Sequence, residues 1–137
     1  MANSVTTQVI VDGPRNCIVK VEGVLDTSDY AVTALIDPSV LAGMDNTGTR
    51  KAATFLIDRI IFNIEDGMEV RLWWDAPTPT RIEAMNGRGT AKYNFFGGLR
   101  NNAVSPTGKI SFSTEGWTMG MIKSFALILE LDKVGSF

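Results

Sequence analysis

Side chains that could catalyse reactions near neutral pH are scarce in this chain. It contains no histidine, and its only cysteine, Cys17, lies inside an apolar run. Histidine is the side chain that titrates nearest neutrality, and a thiolate metal centre needs several cysteine or histidine ligands. A single cysteine also excludes an internal disulfide and suits a reducing compartment. We therefore expect a protein without enzyme activity or cofactor, which acts through its shape and surface.

Carboxylates are the remaining candidates for catalysis or metal binding. Glycoside hydrolases use two carboxyl groups whose separation is set in space, so a sequence cannot exclude them. Most acidic residues here fall at turns or on outer strand faces, where solvated charges need no special role. The oxygen-rich segment 45–49 lacks the spacing of a calcium loop and is typical of a turn. We predict no metal site and regard a hydrolase as the least favoured class.

Asp58 and Arg59 differ from the other charged residues because they interrupt the most apolar segment of the chain, 55–65. An unpaired charge at such a position is costly. Structural ion pairs are more common than catalytic ones, so we expect these side chains to pair across a sheet or in a subunit contact.

Charge and hydropathy limit the possible partners. The net charge is −2 and the basic residues are scattered, whereas nucleic-acid binding normally requires Lys and Arg clustered on one face. The chain begins without a charged or apolar leader, and its apolar runs are too short to span a bilayer. We expect neither a nucleic-acid nor a membrane partner, and synthesis in the cytoplasm.

Alternating apolar residues predict strands along nearly the whole chain. Segments 5–11 and 17–25 should form a hairpin with one buried face. Asp66-Gly67 and Asn86-Gly87 are typical of two-residue hairpin turns. The segments with strand character are 5–11, 17–25, 30–37, 55–65, 70–74, 80–85, 89–96, 109–113 and 121–133.

Two long loops, 39–53 and 97–108, separate these segments. Long connections can carry a strand from one sheet to another, which favours a Greek-key sandwich over an up-and-down arrangement. No repeat or linker is visible in the sequence. We therefore predict a single domain over residues 1–137, an all-β antiparallel β-sandwich of about eight strands that resembles a jelly roll.

Tryptophans provide the best clues to a binding surface. If segment 70–74 alternates strictly, Arg71, Trp73 and Asp75 point away from the core. Trp and Arg are enriched at protein contacts, so we interpret this group as a candidate interface. A loop that covers Trp73 and a sugar that stacks on it are the alternatives.

A second candidate interface lies in loop 114–121, which contains Trp117, Met119 and Met121. Methionine adapts to irregular surfaces, so this segment could mould itself against a neighbour. The alternative is a loop that folds over the end of the sandwich.

Three segments resemble small virion structural proteins of tailed bacteriophages: RLWWDA at 71–76, YNFFGGL at 93–99 and FALILEL at 125–131. The resemblance implies a jelly-roll capsid decoration (cement) protein, often trimeric. Such a protein would be made in the host cytoplasm, sit on the exterior of the head and bridge neighbouring major capsid protein subunits. It implies no catalytic residues. A carbohydrate-binding module or adhesin that uses Trp73 or Trp117 is the alternative function.

Overall fold

The structure is a computed structural model that describes residues 3–45 and 47–135. Within these ranges it contains nine strands and two short 3₁₀ helices, Pro38–Val40 and Asn94–Phe96. The strands are β1 (Ser4–Asp12), β2 (Asn16–Leu25), β3 (Thr33–Ile36), β4 (Thr54–Ile64), β5 (Glu69–Trp74), β6 (Thr80–Met85), β7 (Arg88–Lys92), β8 (Ile110–Glu115) and β9 (Lys123–Val134).

The strands form two antiparallel sheets. The five-stranded sheet has the order β1-β2-β9-β4-β7, and the four-stranded sheet has the order β3-β8-β5-β6. Apart from β1, the strands form nested pairs along the sequence. The first of them pairs with the last and the innermost two pair with each other: β2 with β9, β3 with β8, β4 with β7 and β5 with β6. This is the winding of a double-sheet jelly roll. The predicted all-β jelly-roll sandwich is confirmed, with nine strands rather than about eight.

The core lies between the two sheets because apolar side chains occupy one face of each. In β5, for example, Val70, Leu72 and Trp74 are buried while the residues between them are half-buried. Rings from the two sheets meet in the middle, where the centroids of Phe112 and Phe125 are 6.0 Å apart. Strand β9 contributes a regular row of buried residues, which are Phe125, Leu127, Leu129 and Leu131.

Connections gather at the two ends of the sandwich. At the first end, Lys123 Nζ donates to Asp66 O at 2.7 Å and the Trp117 amide donates to Asp29 Oδ1 at 3.0 Å. These bonds join loop 26–32 to loop 116–122 and the start of β9 to the turn 65–68. At the second end, Thr107 Oγ1 donates to Asp75 Oδ2 at 2.7 Å, which joins the connection 75–79 to the long loop 93–109.

Both predicted two-residue hairpins are wrong. Residues 65–68 and 86–87 reverse the chain, but β4 and β7 belong to one sheet and β5 and β6 to the other. Each turn therefore carries the chain between sheets. Between β4 and β7, the connection that closes a hairpin is 75–79, which contains two prolines and joins the paired strands β5 and β6. A glycine-containing turn permits reversal, but the partner of a strand is decided by packing of the whole sheet.

Two other details differ from the sequence prediction. Strand β7 ends at Lys92, and Asn94–Phe96 forms a 3₁₀ helix instead of continuing the strand to residue 96. The first hairpin forms, but only β2 has a buried face, whereas eight of the nine residues of β1 are exposed. The reason is that β1 lies at the edge of the wider sheet, beyond the reach of the four-stranded sheet.

Candidate functional site

The first predicted contact group lies on the outer face of the four-stranded sheet. Strand alternation places Arg71 and Trp73 outward, as predicted, and both are half-buried. Trp73 lies opposite Ser111 of β8, and its Nε1 donates to Ser113 Oγ at 2.9 Å. Both serines are buried although they point away from the core. The indole therefore covers the two serines and keeps only part of its surface for a partner.

Arg71 is held between two acidic residues. Its Nε lies 3.1 Å from Glu69 Oε1 and its Nη1 lies 3.1 Å from Glu115 Oε1. These bonds, the one to Glu69 above all, raise the pKa of Arg71 above its usual value. Because both contacts lie within the chain, the guanidinium is oriented before any partner arrives and its charge is already balanced.

Asp75 has a structural task at the second end of the sandwich. Its carboxylate accepts bonds from Thr107 Oγ1 at 2.7 Å and from Ser111 Oγ at 3.4 Å. Its backbone N–H donates to Lys109 O at 3.1 Å. Asp75 thus follows Trp73 along the chain but fixes the end of loop 93–109.

The second predicted group separates into an anchor and an exposed part. Trp117 is half-buried and packs against the core, and its Nε1 donates to Leu25 O at 3.1 Å and to Met121 O at 3.0 Å. Met119 is 92% exposed, and Met121 and Ile122 are also exposed. Loop 116–122 therefore folds over the first end of the sandwich through Trp117. We call Met119, Met121 and Ile122 the methionine tip.

Sequence reasoning assigned no site role to the aromatic pair that is most exposed among the described residues. Phe95 is 80% exposed and Phe96 is 55% exposed, and their ring centroids are 4.7 Å apart with perpendicular planes. They lie in loop 93–109 at the second end of the sandwich. We call them the phenylalanine tip. The available signal was two large apolar residues followed directly by Gly97-Gly98, which an alternating strand does not explain.

Short-range contacts hold the phenylalanine tip in place. Tyr93 Oη donates to Glu83 Oε2 at 2.6 Å. Ile57 and Leu99 exchange two backbone hydrogen bonds, at 2.8 and 3.1 Å. Gly98 has φ of +103°, and a Cβ there would lie 3.0 Å from the Leu56 Cβ. Since the loop is fixed on both sides of the two rings, they are presented in one orientation.

Beside this loop, Arg59 of β4 forms the expected ion pair across the sheet, whereas the partner of Asp58 is a second carboxyl group. Arg59 Nε forms a salt bridge with Glu130 of β9. Asp58 lies at an irregularity in the pairing of β4 with β9 and shares a hydrogen bond with Asp132. Burial, and then the bond and charge of Asp132, raise the pKa of Asp58 to about 6. Cys17 is buried, and that burial raises its pKa to about 11.

The described residues contain no group of three or more Cys, Asp or Glu side chains placed to hold a metal ion. No helix in the same part of the chain is long and apolar enough to cross a membrane. Comparison with protein families, with curated proteins and with solved structures finds no match.

Proposed function

We propose that this protein is a non-enzymatic capsid decoration protein of a tailed bacteriophage. It would bind the exterior of the head and bridge neighbouring subunits of the major capsid protein. The main support is that one rigid sandwich presents exposed apolar side chains at both ends, the methionine tip at one and the phenylalanine tip at the other. A protein that bridges two neighbours needs two such separate contacts.

The distance between the ends suits this role. Strand β9 starts beside the methionine tip at Lys123, and Ile57, which is bonded to the loop of the phenylalanine tip, pairs with Leu131 of β9. This part of the strand corresponds to roughly 25 Å at about 3.3 Å per residue. Contacts so far apart can engage different subunits of a lattice. The jelly roll between them, with strands paired on two sheets, would transmit load from one contact to the other.

Energetics favour binding through both ends together. Full burial of one exposed Phe or Met side chain contributes about 1.5 to 3 kcal/mol, whereas association costs an estimated ~4 to 15 kcal/mol before any surplus appears. One tip alone would therefore bind weakly. A second contact on the same body binds at high effective concentration, and self-association multiplies the number of contacts. We propose a homo-oligomer, with the trimer implied by the resemblance as the expected form.

The test adds purified protein back to capsids that lack it and measures how much protein binds. Phe95→Ser with Phe96→Ser, and Met119→Ser with Met121→Ser, should each reduce bound protein roughly tenfold at limiting concentration. The four substitutions together should abolish binding. Val24→Ser is the control because Val24 is exposed and belongs to neither tip. Full occupancy by the fourfold variant would refute the proposal.

A carbohydrate-binding module or adhesin is the second candidate function. It is supported by Trp73, a half-buried ring beside Arg71 on an outer sheet face, next to a shallow groove lined by Tyr30 and Val32. Aromatic rings of this kind can stack on sugars. Glycan-array binding that Trp73→Ala removes would favour this function. Unchanged capsid occupancy of Trp73→Ala would also show that Trp73 takes no part in decoration.

A further inference from the structure

Strand β1 has an open edge with unusual properties. It is hydrogen-bonded to β2 on one side only and extends over nine residues, roughly 30 Å. Val9, Ile10 and Val11 are 42%, 47% and 41% exposed, so apolar side chains are open on both faces of the strand. A long apolar edge is a template for pairing with another strand.

The other three sheet edges are protected against such pairing. Strand β7, at the opposite edge of the same sheet, has five residues and carries Arg88 and Lys92. In the four-stranded sheet, β3 has only four residues, and β6 carries Arg81 and pairs irregularly with β5. Short length, charge and irregularity are the usual means of blocking an edge. Residues 4–9 of β1 have none of these features, because they pair regularly with β2 and carry no charged side chain; the irregularity of β1 is confined to the step between Val9 and Val11.

The chemistry of β1 suits a second copy of itself. Its last residue, Asp12, is bound by Lys133 Nζ and by the Ala42 N–H at 2.9 Å, so this charge is balanced inside the chain. On the neighbouring β2, Lys20 and Glu22 lie 3.8 Å apart and offset each other. Two copies of β1 placed side by side in opposite directions would therefore bring no free like charges together. Antiparallel strands can complete each other's hydrogen bonds in this arrangement.

We infer that β1 pairs with β1 of a second copy across a two-fold axis near Thr7 and Gln8. The pairing joins two five-stranded sheets into one of ten strands and covers Val9, Ile10 and Val11. It does not depend on capsid binding. This two-fold contact is compatible with the proposed trimer if it joins two trimers into a hexamer.

Charge substitution next to the axis tests the pairing. Gln8 is exposed, so Gln8→Lys and Gln8→Glu should leave the fold intact while each places two like charges face to face. Each variant alone should weaken association roughly tenfold or more, and an equal mixture of the two should restore it. Thr90→Lys on the opposite edge strand β7 is the matched control and should have no effect.

Cross-linking tests the geometry independently. Residues directly opposite each other in antiparallel strands have Cα atoms about 4.5 to 5.5 Å apart, a separation that a disulfide spans. Oxidation of Thr7→Cys or Gln8→Cys should therefore give a covalent dimer, whereas the native chain should not, because Cys17 is buried.

Sedimentation of the native protein decides the outcome. A dimer or a hexamer that each charged variant splits, and that the mixture restores, supports the inference. A monomeric native protein would overturn the inference. A trimeric native protein would also overturn it, whether or not the charged variants dissociate that trimer.

Discussion

The two ends of the sandwich both present exposed apolar side chains on an anchored loop, but they anchor that loop through different residues. Each presents exposed apolar residues, and each holds them with a half-buried aromatic residue that has a polar group. At the first end Trp117 donates to two backbone carbonyls, and at the second end Tyr93 donates to the Glu83 carboxylate. The large aromatic residues with polar groups thus anchor the loops, while the two tips consist of Met, Ile and Phe side chains.

The difference between the ends concerns adaptability. Methionine has a flexible side chain that fits irregular surfaces, and Met119 lies at the most exposed point of its loop. The two phenylalanines are packed edge to face and are fixed by the Ile57–Leu99 bridge. A rigid aromatic pair loses little entropy on binding and suits one defined pocket. The comparison predicts an adaptable contact at the first end and a selective one at the second.

The largest expected effect separates anchor from tip at the first end. Trp117→Ala should lower the free energy of unfolding by about 2 to 3 kcal/mol, because it removes a half-buried ring and two hydrogen bonds. Met119→Ala should change it by less than about 0.5 kcal/mol. Urea denaturation of the two variants measures both values. Equal losses of unfolding free energy in Trp117→Ala and Met119→Ala would contradict the distinction between anchor and tip.

At the second end the corresponding effect is smaller because only one hydrogen bond is removed. Tyr93→Phe deletes the 2.6 Å bond to Glu83 and should cost about 1 to 2 kcal/mol. Phe95→Ala should leave the stability almost unchanged, since that ring is exposed. The same denaturation assay compares them. If Phe95→Ala costs more than Tyr93→Phe, the ring supports the loop and is not free for a partner.

Periodicity predicted the strands well because burial on one face leaves a local trace in the sequence. It failed where the answer depends on distant residues. Asp66-Gly67 indicates a reversal, but whether β4 then pairs with β5 depends on β8 and β9, which are about 40 or more residues further along the chain. The exposure of β1 has the same origin, because alternation in 5–11 cannot show that the facing sheet is one strand narrower.

The candidate site was predicted in part for a similar reason. The sequence correctly predicted that Trp73 and Arg71 point outward, because strand alternation decides the direction of each side chain. Trp117 was chosen because its loop combines an aromatic residue with methionines, yet a large ring is also a good anchor, and one hydrogen bond of its indole goes to Leu25, far away in the sequence. Phe95 and Phe96 were missed because the alternation was extended through a segment that forms a 3₁₀ helix.

The last difference between the ends is a pH dependence at the second. The Asp58 carbonyl accepts the Tyr93 N–H at 2.8 Å, and Gly98 packs against the Asp58 side chain. The pKa of Asp58 is raised to about 6 from 3.8 by burial and by Asp132, with a smaller effect of Glu130. Glu130 is itself paired with Arg59, and Arg15 and Arg50 line the same cavity as Asp132. Asp58 and Asp132 are therefore surrounded by both acidic and basic side chains, beside the phenylalanine tip.

Between pH 4 and 6 the folded protein keeps a proton on Asp58 that the unfolded chain has lost, so folding binds more protons in this window. Stability from this group is thus complete below about pH 4 and falls as the pH rises through about 6. Because the side chain is partly open to water, we expect a loss of about 1 kcal/mol or less. Asp58→Asn should remove this part of the pH dependence and stabilise the protein at pH 8, whereas Asp29→Asn at the first end should leave the slope between pH 4 and 6 in place. Urea denaturation across pH measures both, and an unchanged slope in Asp58→Asn would show that the ends do not differ in this respect.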